Sequence, residues 1–222
     1  MTDELFNAIE TGDSALVARL VQEDPARAAA RNQAGLSAVL AATYKHRHDI
    51  AGVLLAAGPE LDVFDAAAVG DTGRLAELTD GDPGLATAYA RDGSTPLALA
   101  AYFAQPAAVK VLLARGADVH ARARNDMEVQ PLHAAVAGRS AKSVGLLLRA
   151  GADPNARQHG GWTPLQAAAA HGDTAMVDLL LAAGADPDEA ANDAGATAAS
   201  LAGDNGHEEL AARLSGNRST TS

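Results

Sequence analysis

The feature that most constrains this chain is a unit of about thirty-four residues written several times over. Its clearest copy is "GGWTPLQAAAAHGDTAMVDLLLAAGADPD", Gly160 to Asp188, and its closing Gly-Ala-Asp triplet, at Gly184, also stands at Gly116 and Gly151. Within that copy Thr163 and Pro164 read as a helix start. The Thr hydroxyl can accept from an orphan backbone N–H, and Pro at the first helical position gives up no hydrogen bond. Leu165, Ala168 and Ala169 then share one face at helical spacing. Gly172 ends this helix, Asp173 or Thr174 can cap a second, and Met176, Val177, Leu180 and Leu181 form its apolar stripe. Gly184 ends the second helix, since glycine accepts the left-handed conformation beyond a helix C-terminus. The Ala-Asp-Pro-Asp segment after it is a turn. Each helix, at eight to ten residues, is too short to persist alone in water. A copy cannot bury its apolar face by itself, so copies must stack.

With the Leu of Thr-Pro-Leu as reference, equivalent positions are Leu5, Val39, Val63, Leu97, Leu132, Leu165 and Ala199, at steps of 34, 24, 34, 35, 33 and 34 residues. Seven copies are expected, at approximately 1–31, 32–60, 61–89, 90–121, 122–156, 157–189 and 190–216, forming a single domain over 1–216. One step is short by about ten residues. A larger period accounts for it. "FNAIETGDSALVARLVQEDP" from Phe6 aligns without gaps to "FDAAAVGDTGRLAELTDGDP" from Phe64, an offset of 58, and the same offset pairs Gly35 with Gly93, Tyr44 with Tyr102 and Leu54 with Leu112. The first four copies read as a duplicated pair.

The period, the Thr-Pro-Leu start and the Gly-Ala-Asp end together resemble the ankyrin repeat over nearly the whole chain. "STPLALAAYFAQPAAVKVLLARGADVHA" (Ser94 to Ala121) and "QPLHAAVAGRSAKSVGLLLRAGADPNA" (Gln130 to Ala156) are the other close matches. The resemblance implies an all-α solenoid of paired short antiparallel helices with β-turn or hairpin fingers. It also implies a concave groove, lined by fingers and inner helices, that binds another protein. There are departures. The family's His after Thr-Pro-Leu stands only at His133; elsewhere the position holds Phe6, Leu40, Phe64, Ala98, Gln166 and Ser200. The short step after Gly58 leaves little room for a finger between copies two and three. Copy five has Glu128 and Val129 where a turn glycine is expected. Copy seven, "GATAASLAGDNGHEELAARL", has lost Pro and most large apolar residues, which suits a terminal cap. The polar residues 217–222 are expected to be a disordered tail.

Composition narrows the function classes. About a quarter of the chain is Ala and aromatics make up 3%, which favours closely approaching short helices over a core of large rings. The net charge is -11. Up to Val111 there are 8 basic and 15 acidic residues, and beyond it 9 and 13, so neither half offers a footprint for nucleic acid or anionic membrane. Cysteine is absent, which removes disulfides and thiolate chemistry. The start "MTDELFNAIETGD" carries acids where a signal peptide needs bases, and no run is long enough to span a membrane. A cytoplasmic monomer is expected, and Arg outnumbering Lys 14 to 3 hints at a bacterial source.

Candidate chemistry is thin. "KHRHD", Lys45 to Asp49, pairs two His but falls at a helix–helix turn, and zinc takes three or four protein ligands. "DGDPG" at Asp80 has the opening of a calcium loop, but Arg91 occupies the place of its final Glu. Repeated Asp118, Asp153 and Asp186 are turn residues, and His133 is expected to bond neighbouring loops. No phosphate loop or nucleophile elbow is present, so no catalytic residue, metal or cofactor is expected. Rare aromatics are the better guide. Phe6 and Phe64 are expected in the core. Tyr44, Tyr102 and Phe103 end inner helices, where the resemblance places side chains toward the groove; packing inherited through the duplication is the alternative for the two tyrosines. Trp162 stands at a finger base. With Lys45, Arg91, Asp92, Arg122, Arg124 and His171, these form the expected partner-binding set, centred on copies four to six. The function expected is a non-catalytic scaffold or adaptor. Alternatives are an inhibitor or immunity-type protein, favoured by an acidic groove facing a basic enzyme, and an enzyme with a site between copies.

Overall fold

A computed structural model describes residues 2–190 and 195–216. The described residues form seven helix pairs: α1 (Thr2–Thr11) with α2 (Ser14–Glu23), α3 (Ala38–Tyr44) with α4 (His48–Ala56), α5 (Val63–Val69) with α6 (Thr72–Gly81), α7 (Pro96–Tyr102) with α8 (Pro106–Ala114), α9 (Pro131–Ala137) with α10 (Ala141–Arg149), α11 (Pro164–Ala170) with α12 (Thr174–Ala182), and α13 (Ala198–Asp204) with α14 (Glu208–Gly216). The first helix of each pair packs on the first of the next, and most second helices pack likewise, giving an inner and an outer layer. From α3 to α13 the inner helices are seven residues long, slightly shorter than the eight to ten expected from the sequence.

Local chemistry sets the boundaries. Side chains of Ser37, Thr95 and Thr163 cap the starts of α3, α7 and α11, and Asp13, Asp71 and Asp173 cap α2, α6 and α12. Pro begins α7, α8, α9 and α11. Between the helices of every pair the chain turns through one residue with positive φ: Gly12, His46, Gly70, Ala104, Arg139, Gly172 and Gly206. His46 is an exposed residue of such a turn, as the sequence indicates, and His48, also exposed, begins α4.

The core lies between the layers. Outer helices bury residues in one register, i, i+1 and i+4: Ile50, Ala51 and Leu54; Ala108, Val109 and Leu112; Ser143, Val144 and Leu147; Met176, Val177 and Leu180. Opposite them the inner helices offer fully buried alanines, among them Ala42, Ala67, Ala100, Ala135 and Ala168. Small side chains let the layers approach closely while one Leu per outer helix fills the space, each such burial stabilising by about 1.5–3 kcal/mol.

The short step leaves a visible mark. Only residues 57–62 separate α4 from α5, against 115–130 between α8 and α9. Outer helices α4 and α6 do not pack closely, although α2 packs on α4 and α6 on α8. Polar contacts hold the inner layer together at this junction. Arg31 Nη2 donates to Asp62 at 2.8 Å, and the Ser37 hydroxyl donates to the buried Asp65 carboxylate. Burial raises the pKa of Asp65 to about 6, against the lowering effect of the Ser37 hydrogen bond. The duplication is visible too: both Asp-Pro segments form short 3-10 turns, Pro25–Ala29 and Pro83–Thr87, each capped by the preceding Asp. The final pair joins the array through α11 and α13. The expected tail, 217–222, lies outside the described residues.

Candidate partner-binding face

The fingers are turns rather than hairpins. Among the described residues their ladder is reduced to a single isolated bridge, Arg31 to Ser37. Finger 30–37 closes by Asn32 N–H to Leu36 carbonyl at 2.9 Å, finger 88–95 by Ala90 N–H to Ser94 carbonyl at 2.9 Å, finger 117–130 by Ala123 N–H to Val129 carbonyl at 2.9 Å, and finger 152–163 by Gln158 N–H to Trp162 carbonyl at 3.0 Å. Successive fingers hold one another. Arg124 N–H donates to the Gly93 carbonyl at 2.8 Å, and His159 N–H to the Met127 carbonyl at 3.2 Å. Gly93 has φ 82°, and a Cβ there would lie 2.5 Å from the Arg124 carbonyl group, so only glycine permits this approach.

Inner helices hold the fingers from below through the position after Thr-Pro-Leu. His133 Nε2 lies 3.2 Å from the Trp162 carbonyl, and Gln166 Nε2 donates to the Glu189 carbonyl at 2.7 Å. His133 is 4% exposed, and burial lowers its pKa to about 4, against the raising effect of its bond to Trp162. Its role is to hold a loop, as expected from the sequence. Leu40, at the same position in copy two, has no finger above it, because the short step removes the one that would follow.

That vacancy in the row is a cleft of about 580 Å³. Leu40, Phe64 and Tyr44 line it from the inner helices, Arg31, Leu36 and Ser37 from one finger, and Tyr89, Arg91 and Asp92 from the next. Its size falls within the usual 300–1,000 Å³ of ligand pockets. Arg91 spans toward the opposite finger, where a Cβ on Gly35 would meet its Cδ at 2.7 Å. The Tyr44 hydroxyl donates to Asp92 Oδ2 at 2.9 Å. Burial and then the Asp92 charge raise its pKa, which keeps it a donor. Arg124 lies 3.7 Å above the ring centre of Tyr89.

The residues singled out in the sequence separate into groups. Tyr44, Arg91 and Asp92 belong to the cleft. Tyr102 and Phe103 are half-buried and pack against the core; Phe103 meets Tyr44 edge-on at 5.2 Å and Tyr102 at 5.0 Å, so the three rings form one cluster. Arg124 flanks this region, while Arg122 pairs with Glu128 of its own finger at 3.0 Å. Trp162 is half-buried two fingers away. Lys45 is exposed and pairs with Glu10 at 2.6 Å, and exposed His171 accepts at its carbonyl from Arg139 Nη2 at 3.4 Å, so neither joins the cleft.

Phe6 and Phe64 need correcting from core residues to half-buried ones that pack on the core, and Phe64 also lines the cleft. Sequence reasoning missed Tyr89, Leu36 and Leu40 there, as well as Met127, which is 51% exposed on a finger tip. The signal for the cleft was present in the short step itself, which leaves residues 57–62 alone between α4 and α5.

Among the described residues no helix is long and apolar enough to cross a membrane. No match is found among curated proteins. A family model of ankyrin repeats, three copies long, matches residues 63–158 and again 132–220. Copies one and two precede that match, yet they share its helix pairs, and copy two its finger. The chain belongs to the ankyrin-repeat family.

Proposed function

We propose that the protein is a non-catalytic scaffold or adaptor, a monomer in the cytoplasm, that holds a partner protein on the face formed by its fingers and inner helices. The observation that carries this reading is the cleft at the absent finger, continuous with a rim of exposed polar side chains and with Met127 and Trp162 farther along the fingers. Ankyrin repeats generally serve as protein-interaction modules, and this face supplies what such an interface needs: aromatic anchors at its centre and Arg at its edge. An inhibitor of a basic enzyme would call for an acidic face. Here Arg91 and Arg124 stand without acidic partners among the described residues, which favours the scaffold reading.

The test is capture of the native partner from the host by wild type and by variants on each face. Trp162→Ala and Met127→Ala probe the fingers; Leu179→Ala, 37% exposed on α12, probes the outer layer. Loss of a true anchor costs about 2 kcal/mol, a drop of about thirtyfold. At least one finger variant is expected to show it with unfolding unchanged, and Leu179→Ala to bind normally. Normal binding by both finger variants together with loss in Leu179→Ala would move the interface to the outer helices.

A further inference from the structure

Resting on that binding face, the cleft at the absent finger also indicates what it receives. A finger-like turn from another chain would need a free backbone acceptor on finger 30–37. The equivalent of the Gly93 carbonyl, which takes the next finger's N–H, is the Gly35 carbonyl, and it already accepts from Arg31 Nη1 at 3.1 Å. Leu40 stands where His133 and Gln166 hold the backbone of a following finger. The contacts that hold one finger on the next are therefore not repeated in the cleft, whereas an apolar side chain finds Leu36, Leu40 and Phe64.

Charge at the mouth points the same way. Arg31 is satisfied by Asp62. Asp92 uses one oxygen on the Tyr44 hydroxyl and the other on its own turn, the Ser94 N–H at 2.9 Å. Arg91 makes no hydrogen bond or ion pair among the described residues, and Arg124 has only the face of Tyr89. The charged groups left to engage a ligand are guanidiniums, on a chain whose net charge is -11. A guanidinium receives a carboxylate through two parallel N–H donors.

We propose that this cleft recognises an acidic–apolar segment of the partner protein, with one large apolar side chain seated against Leu40 and Phe64 and a neighbouring carboxylate on Arg91.

The experiment titrates the isotope-labelled full chain with blocked peptides and follows NMR shifts. The probes are acetyl-Gly-Asp-Phe-Gly-amide, its Lys-Phe counterpart and its Asp-Ala counterpart. The Asp-Phe peptide is expected to shift the Leu40 methyls and the Tyr89 and Arg91 amides. It should bind about fivefold tighter than Lys-Phe at low salt, with the gap closing at high salt. The Asp-Ala peptide should leave those signals unmoved. Arg91→Gln should erase the preference for acid while keeping the shifts that depend on Phe. Phe64→Leu trims the floor without burying a polar group and should weaken both Phe peptides. Equal binding of Asp-Phe and Lys-Phe, shifts confined to other surfaces, or no binding would overturn the proposal. So would 3-phenylpropionate shifting these signals where the Asp-Phe peptide does not, which would make the site one for a free small acid. Peptide failure with partner capture still lost in Trp162→Ala or Met127→Ala removes the cleft assignment and leaves the binding face standing. The opposite pattern removes the wider face instead.

Discussion

His133 offers a pH-dependent stability that can be calculated in advance. In the folded chain it is neutral, with Nε2 donating to the Trp162 carbonyl and burial lowering its pKa to about 4. The unfolded chain protonates the same ring near 6.5. Between those values the unfolded state binds the extra proton, so this contribution is complete above about pH 6.5 and is lost as pH falls toward 4. At about 1.4 kcal/mol per pH unit the full loss is about 3 kcal/mol, and at about pH 4.5 it has reached about 2 to 3 kcal/mol. Asp65 works in the opposite sense. Its raised pKa, about 6, lets the folded state take a proton first, so its contribution grows as pH falls from 6 toward the ordinary carboxylate value. The bulk pH profile therefore mixes both groups, and a difference between variants is needed. His133→Gln keeps an amide donor, as Gln166 does in the next copy, and removes the titration. Urea unfolding of both proteins at about pH 7 and pH 4.5 gives the answer: wild type should lose about 2 to 3 kcal/mol more than the variant. Equal losses would show that His133 is not held neutral by burial.

Three further tests concern the array itself. Ala104 sits at φ 55° in a turn where four sister copies carry Gly, so Ala104→Gly should stabilise by about 0.5–1 kcal/mol once glycine's greater unfolded freedom is set against the relieved strain. Gly138→Ala should destabilise by more than about 1 kcal/mol, because its Cβ would lie 2.0 Å from the Tyr102 carbonyl oxygen; thermal unfolding reads both, and a neutral Gly138→Ala would contradict the packing. Amide exchange should be faster in α13 and α14 than in α11 and α12, since the last pair has a neighbour on one side only; equal protection would contradict this.

Most of the fold was legible because each copy states its own boundaries. Thr163 with Pro164, Gly172 with Asp173, and Gly184 mark start, turn and end locally, and the apolar stripe over Met176 to Leu181 needs only helical spacing to be read. The helix–helix turns were legible even at His46, where the position and not the residue type carries the message. The binding face was less so. The short step reads in sequence as an interruption of the finger row, which favours the regular copies four to six. In three dimensions the interruption is the cleft, because residues 31–44 and 89–92, far apart in the chain, come to face each other across it. Tyr89 was missed because it belongs to no repeated motif. Phe6 and Phe64 share an apolar pattern that reads as core, and sequence does not show that one side of each ring is left uncovered. Lys45 and His171 follow inner helices at the expected place, yet Lys45 is engaged by Glu10.

Binding of the partner on the finger face centred on this cleft is decided by amide exchange on the complex. Protection on binding is predicted at residues 31–40, at 89–92 and along the fingers to Trp162, with α10 and α12 exchanging as in the free protein. Protection concentrated on α10 and α12, with 31–40 and 89–92 unchanged, would contradict it.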